Sequence, residues 1–231
     1  MWNLHWYIES PLEIRRYFMG KFFNPDNPVM NFISKLADTF WLNILWFLTS
    51  LPIITIGPAT TALYTVTLSM ADDRSISITA EFFKGLRKNL KNGIKLGLFL
   101  SAFGAVLCID GYVFMKMRFE NIFWTLGFAT FIPLCFLFLV ICIYAFPLLA
   151  MFENTTPQLL KNALFIGLRY LFCTIILVII HVGIFFIAVN YFTPLIFLGE
   201  GLCAFLGSYL LHPLFVSLSK VHTLNEVTND R

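Results

Sequence analysis

The sequence predicts an all-α membrane protein, a polytopic transmembrane helical bundle of about six spans with both termini in the cytoplasm. The chain of 231 residues is 58% hydrophobic and only 13% charged, with 27 phenylalanines and a mean hydropathy of +0.79. Such a composition is typical of membrane proteins and excludes an ordinary soluble domain. Residues 41–70 contain no charged side chain and are interrupted only by Pro52, Gly57 and Pro58. Because a bilayer span needs about twenty apolar residues, this stretch predicts a helical hairpin in lipid.

Six apolar segments follow one another along the chain with short connections. We place them at about 35–56, 59–72, 94–114, 124–150, 163–190 and 195–217. The second is about fifteen residues long, or about 22 Å of helix, so it tilts little, thins the bilayer locally or lies partly inside the bundle. Together the segments define a membrane domain over residues 32–218.

The two ends of the chain are predicted to flank this membrane domain. Residues 1–31 interleave aromatic side chains with Arg15, Arg16 and Lys21, a mixture that suits the lipid headgroup layer. The segment lacks a basic start followed by an apolar core and a small-residue cleavage site, so we expect no cleavable signal peptide. Met19 is an alternative start for the chain. Residues 219–231 are predicted to form a cytoplasmic tail.

Basic side chains predict the orientation in the membrane. With the N-terminus inside, fourteen Lys and Arg residues lie in cytoplasmic segments, and only Lys116 and Arg118 lie outside. This asymmetry follows the positive-inside rule. The short second span is needed for it, since omitting that span would place the basic segment 74–95 outside. We therefore predict an even number of spans in the cell membrane.

Two predicted cytoplasmic segments, 79–92 and 155–168, have similar patterns. Each opens at a threonine and carries a bulky apolar pair followed by a lysine. In the first segment, apolar residues recur at i, i+1, i+4 and i+8, opposite the lysines, which predicts a helix lying on the inner membrane surface. A weak internal duplication and an ordinary basic interfacial helix both remain open.

The sharper hypothesis for these segments is a docking surface for a cytoplasmic partner. Helices on the membrane surface that carry both basic and apolar side chains are suited to contacts with a neighbouring protein as well as with lipid. The candidate docking residues are Phe82, Phe83, Lys84, Leu86, Arg87, Lys88 and Lys161.

Three titratable side chains, Asp110, His181 and Glu200, lie inside predicted spans. Such groups are costly in lipid and are functional candidates by default. In one hypothesis they line an outward-facing polar cavity, where the carboxylates accept a cation or sugar hydroxyls and the imidazole relays protons. In the alternative they are structural. Asp110 would pair with Lys116 or Arg118, Glu200 would lie among headgroups, and His181 would hydrogen-bond a neighbouring helix.

Catalytic and metal-binding signatures are missing from the sequence. It contains no H-E-x-x-H, P-loop or G-x-S-x-G motif, and its four histidines lack metal-ligand spacing. The five cysteines lie in apolar segments without C-x-x-C spacing, as expected of small packing residues. The formal net charge of +3 is too small to indicate a nucleic-acid partner. We therefore predict a non-enzymatic protein with no metal, no cofactor and the lipid bilayer as its first partner.

Five segments carry a family resemblance. They are FFNPDNPVMNFISKLAD (22–38), LNILWFLTSLPIITIGPATTALY (42–64), FFKGLRKN (82–89), FPLLAMFENTTPQLLKNALFIGLRY (146–170) and PLFVSLSK (213–220). In these segments the chain resembles the YesL-like family of bacterial integral membrane proteins, a family of uncharacterised function. The stretch LPIITIGPATTALY is the most specific, because its prolines and glycine must coincide with an uncharged apolar context.

The resemblance implies a role in carbohydrate transport. Members are small multi-span proteins commonly encoded beside carbohydrate ABC-transport genes, which implies an accessory, assembly or regulatory subunit of a sugar ABC importer. The sequence lacks the E-A-A…G loop by which importer permeases meet their ATPase, so the pore subunit itself is not implied. No catalytic residue is carried over. The alternative hypothesis is a stand-alone small-solute (sugar) permease, acting alone or as a homo-oligomer through Asp110, His181 and Glu200.

Overall fold

The computed structural model describes residues 28–117, 121–152, 155–191, 193 and 195–229, and these ranges are helical with short turns and contain no β-strand. The α-helices are α1 (Pro28–Ser50), α2 (Ile56–Ala71), α3 (Ile78–Met117), α4 (Ile122–Met151), α5 (Thr156–Arg169), α6 (Leu171–Asn190) and α7 (Leu195–Asn229). One 3₁₀ turn, Ile53–Thr55, leads into α2. The predicted all-α class is confirmed over the described residues.

Five segments of the described chain are long and apolar enough to cross a membrane. They are Ile53–Ala71, Ile78–Met117, Ile122–Met151, Leu171–Asn190 and Leu198–Ser219. The chain therefore has the helices of a multi-pass membrane protein. The sequence predicts six spans, and the difference lies at the first: α1 already ends at Ser50 and is not among the five.

The chain divides between Asp38 and Thr39 into two units. Of the first unit the structure describes the start of α1, so most of the predicted interfacial segment 1–31 lies outside the described residues. The second unit contains the rest of α1 and all later helices. At its end α7 continues as helix to Asn229, through the region predicted as a tail.

Helix α2 occupies the centre of the second unit. It packs against α3, α4 and α7, and 67% of its most apolar stretch is buried inside the protein, against 11% for α3 and for α4. Small residues allow the contact with α3: a Cβ on Gly93 would lie 2.7 Å from the Cα of Pro58, and close backbone approach through small residues is how membrane helices associate. The short segment 59–72 is thus largely covered by other helices of the protein.

Helix α3 is a single helix of 40 residues. At 1.5 Å per residue it is about 60 Å long, roughly twice the hydrocarbon thickness of a bilayer. The sequence predicts a separate surface helix at 79–92, and this is wrong: no proline interrupts α3, and the helix continues through Gly93, which lies against Pro58 of α2. The corresponding segment 155–168 is a separate helix, α5, which ends at Tyr170 (φ −111°, ψ 50°). The two similar sequences therefore have different structures.

Hydrogen bonds between helices supplement apolar packing in the core. The Ser208 hydroxyl donates to Thr67 Oγ1 at 2.8 Å and joins α7 to α2. The hydroxyl groups of Tyr144 and Thr174 are 3.0 Å apart and join α4 to α6. Each of these four side chains is almost fully buried. Such bonds stabilise membrane helix pairs by roughly 0.6 kcal/mol on average.

Candidate functional site

Two cavities lie among the helices of the second unit and share Trp46, His181 and Glu200. The larger, of about 360 Å³, is also bounded by α2 and α4 and includes Tyr64. The smaller, of about 280 Å³, extends along α6 and α7 and includes Cys203. We refer to the two together as the His181–Glu200 cavities. Two of the three titratable residues singled out in the sequence are therefore brought together by the fold.

The placement of Glu200 depends on the glycines on either side of it in α7. A Cβ on Gly199 would lie 3.0 Å from Ile184 Cγ2 on α6, and one on Gly201 would lie 2.6 Å from Asn43 Oδ1 on α1. Both neighbouring helices therefore approach α7 closely at this level. Because its flanking positions lack side chains, Glu200 can lie between α6 and α1 and line both cavities.

His181 is oriented by its own helix. Its Nδ1 lies 2.8 Å from the carbonyl oxygen of Leu177, one turn earlier in α6. A carbonyl oxygen only accepts hydrogen bonds, so Nδ1 carries the proton in this arrangement, and Nε2 is left for the cavity. The imidazole and the Glu200 carboxylate interact electrostatically. The predicted hydrogen bond from His181 to a neighbouring helix is replaced by one within α6.

Aromatic and hydroxyl groups complete the lining of the larger cavity. Trp46 Nε1 donates to Thr60 Oγ1 at 3.0 Å, which holds the indole against α2. Tyr64 is 3% exposed and interacts electrostatically with Glu200, yet its hydroxyl makes no hydrogen bond within the described part of the chain. Sequence reasoning missed Tyr64 because a lone tyrosine in an apolar helix gives no pattern, and only the fold turns its hydroxyl towards Glu200.

Asp110 is separate from this site. It lies on the exposed side of α3 and is not among the residues that line the His181–Glu200 cavities. Its proposed partner Lys116 lies over the ring of Tyr112 instead, at 4.8 Å from the ring centroid, and Arg118 lies outside the described residues. Of the three residues predicted to line one cavity, His181 and Glu200 do so and Asp110 does not.

The predicted docking residues, six on α3 and Lys161 on α5, differ in how far they are exposed. Phe82 is fully buried, so it cannot contact a partner, and this part of the prediction is wrong. The face of α3 that carries Phe82, Gly85 and Asn89 is buried. It lies close to α2, since a Cβ on Gly85 would lie 3.1 Å from Thr65 Oγ1. Leu86 is half-buried. The remaining predicted residues, Phe83, Lys84, Arg87, Lys88 and Lys161, are exposed.

The described side chains of the site offer groups suited to binding. Glu200 makes no hydrogen bond to any described residue, so its carboxylate is an available acceptor, and the Tyr64 hydroxyl is an available donor. No group of three or more His, Cys, Asp or Glu side chains among the described residues could hold a metal ion. The five cysteines, all within the described ranges, are free thiols.

Fold and site together define a multi-pass helical membrane protein with an ionisable cavity between its helices. Residues 39–111 match the model of a family described as "Protein of unknown function, DUF624". The match runs from α1 through α2 into the apolar half of α3. No curated protein and no solved structure shows a significant match to the chain.

Proposed function

We propose that this chain is a non-enzymatic integral membrane protein that binds a small polar solute in the His181–Glu200 cavities, as a small-solute permease does. One observation carries the proposal: the Glu200 carboxylate lies among apolar helices without a hydrogen bond to any described residue. A carboxylate in such surroundings is unfavourable unless a counter-charge or a hydrogen-bonding ligand compensates it. The nearby His181 imidazole interacts electrostatically with the carboxylate, and a bound solute would supply the hydrogen-bonding partner.

The groups around the cavities favour a polyhydroxylated solute or a cation. Glu200 accepts hydrogen bonds, Tyr64 donates one, and His181 Nε2 accepts one. The indole of Trp46 adds a flat apolar wall to both cavities. The larger cavity, at about 360 Å³, lies within the range of about 300–1,000 Å³ that small-molecule sites occupy. A sugar matches this combination of hydroxyl-binding groups and an aromatic surface.

Solute binding is tested with the purified chain in detergent, screened by thermal shift against monosaccharides, disaccharides and alkali cations. We expect one class of solute to raise the melting temperature, and E200Q or H181Q to abolish that rise. D110N is the matched control, because Asp110 is also an acid in an apolar helix but lies away from the cavities. Uptake of the stabilising solute into proteoliposomes then distinguishes a permease from a binding protein. A screen without any stabilising solute contradicts the proposal.

A second candidate function is an accessory or regulatory subunit of a carbohydrate ABC importer in a bacterial cell membrane. It is favoured by exposed surfaces of mixed basic and apolar character: Phe83, Arg87 and Leu90 on α3, and Lys161 and Phe165 on α5. The resemblance to YesL-like proteins suggests the importer as the partner. The positive-inside rule supports the orientation in which these helices and both termini face the cytoplasm.

This second function is tested by a pull-down of the tagged chain in mild detergent from a host grown on a complex polysaccharide. Recovery of importer permease or ATPase subunits, lost in R87E/K161E, supports the accessory role. K116E is the matched control, since Lys116 lies at the opposite end of α3. Recovery of the chain alone, as a homo-oligomer of defined mass, contradicts that role.

A further inference from the structure

A third cavity, of about 260 Å³ and more polar than the other two, lies beside the basic first turns of α3. It is enclosed by the last turns of α2 and α4, the first turns of α3 and the middle of α7. Besides the hydroxyl groups of Thr65 and Ser69, its polar side chains are Arg74, Glu81, Lys84, Lys88, Asn89 and His212. None of these belongs to the His181–Glu200 cavities. The basic stretch of α3 that lines it directly precedes the apolar stretch of the same helix.

The charge of this cavity favours an anion. Three cationic side chains, Arg74, Lys84 and Lys88, line it together with one carboxylate, Glu81. That carboxylate lies 3.4 Å from Lys84 Nζ in an exposed pair, and exposed pairs are weak. A doubly charged anion can therefore compete for Lys84 without leaving a buried charge unpaired.

Asp72, beside the cavity, positions two of the groups that line it. One carboxylate oxygen accepts a hydrogen bond from Arg74 Nε at 2.6 Å, and the other lies 3.2 Å from His212 Nε2. Only one of the five N–H donors of the guanidinium is used in this way. The terminal nitrogens of Arg74 make no hydrogen bond within the described residues. They form the planar fork that binds carboxylate and phosphate oxygens in pairs.

An independent observation at the same place points to a ligand. Asn89 lines the cavity and is only 7% exposed. Its side-chain amide makes no hydrogen bond to any residue that the structure describes. The amide therefore reaches the cavity with both of its N–H donors unused, and it can donate to an oxygen of a ligand bound there.

We propose that this cavity binds a phosphate group, carried either by an anionic lipid headgroup or by a free phosphate compound. Arg74, Lys84 and Lys88 neutralise its charge, and the Asn89 amide donates to one of its oxygens. At about 260 Å³ the cavity is smaller than the roughly 300–1,000 Å³ of typical small-molecule sites, as suits a headgroup rather than a larger ligand. The phosphate site is separate from the His181–Glu200 cavities, so this proposal does not depend on whether those cavities bind a solute.

The proposal is tested on the purified full chain in a neutral detergent, by calorimetric titration with inorganic phosphate and by native mass spectrometry with added lipid. Phosphatidylglycerol and phosphatidylcholine are compared, because both contain phosphate but only the first is anionic. Retention of one phosphatidylglycerol and weak binding of inorganic phosphate assigns a lipid site. Tight binding of inorganic phosphate assigns a soluble ligand.

Substitutions test whether phosphate or the lipid headgroup binds in this cavity. K84Q/K88Q should lower the affinity roughly tenfold or more, since the two substitutions remove charge-assisted hydrogen bonds to the phosphate. N89D keeps the size of the side chain, adds a repelling charge and should lower it as well. K91Q/K95Q is the matched control, because both lysines are exposed on α3 and neither lines the cavity. Equal loss in this control, equal binding of phosphatidylcholine, or no binding of either probe overturns the proposal.

Discussion

The side-chain oxygen Oδ1 of Asn43 accepts a hydrogen bond from the backbone N–H of Gly201 at 2.8 Å, which joins positions 158 residues apart. Asn43 is only 2% exposed. Because Gly201 directly follows Glu200, this bond fixes α7 against α1 at the level of the His181–Glu200 cavities. The site thus depends on a contact between the beginning and the end of the membrane domain.

Replacing Asn43 should loosen this contact. We expect N43A to lower the free energy of unfolding by about 1 kcal/mol, since hydrogen bonds between membrane helices contribute roughly 0.6–1.7 kcal/mol. Titration with a denaturing detergent in mixed micelles measures the change. Asn190 is the control, because it is exposed and its amide bonds only to Phe186 of its own helix. If N190A lowers the free energy of unfolding as much as N43A does, the hydrogen bond to Gly201 is not the source of the stability lost in N43A.

Glycines in the helices should differ sharply in their tolerance of a methyl group. G93A should destabilise the protein by about 1–3 kcal/mol, as overpacking does, because its Cβ would lie 2.7 Å from Pro58. G183A should be neutral or slightly stabilising, because nothing lies within 4 Å of its Cβ and alanine favours the helix. Melting temperatures of the two purified variants test this. Similar melting temperatures would contradict the close packing of α2 on α3.

The buried pair of Tyr144 and Thr174 is suited to a double-mutant cycle. Their hydroxyl groups are 3.0 Å apart, and Thr174 Oγ1 also donates to the carbonyl oxygen of Gly167 at 2.7 Å. We expect Y144F and T174V each to cost about 1 kcal/mol and the double variant to cost less than their sum. Unfolding of all four proteins in mixed micelles measures the coupling. Strict additivity would show that the two hydroxyl groups act independently.

The negative charge of Asp72 should weaken anion binding in the neighbouring cavity that Arg74, Lys84 and Lys88 line. In D72N the Arg74 guanidinium and His212 lose their carboxylate partner, and the negative charge next to the cavity is removed. We expect tighter binding of inorganic phosphate or phosphatidylglycerol, by roughly threefold to tenfold, and little change in stability because the ion pair with Arg74 is exposed. Titration at low and high salt checks this, since screening should reduce the difference. Weaker binding in D72N would mean that orientation by Asp72 outweighs its charge.

The sequence was sufficient for the parts of the fold that depend on apolar length. Long apolar stretches predicted helices α2, α4, α6 and α7, because lipid imposes a continuous apolar surface of known length on any helix that crosses it. The amphipathic start of α3 was harder. Its apolar residue Phe82 faces the core while Phe83 is exposed, and a pattern of apolar residues alone does not say whether protein or lipid covers them.

The site was only partly predictable for a related reason. An ionisable residue in an apolar stretch is visible in the sequence, and so His181 and Glu200 were singled out. Which of them meet depends on how helices rotate about their axes, and that is set by small residues such as Gly199 and Gly201. Asp110 has the same chemical signature but lies on an exposed side of its helix. Unpartnered groups such as Tyr64 become apparent only when every neighbour is placed.

The length of α3 has a mechanical consequence. The helix bears on α2 where Gly93 meets Pro58, with about 23 Å of helix on one side of this point and about 36 Å on the other at 1.5 Å per residue. No proline interrupts either arm. Both arms also touch a neighbouring helix, the shorter one at Thr65 of α2 and the longer one at Phe138 of α4. A sideways shift of the basic arm would therefore press on both neighbours at once.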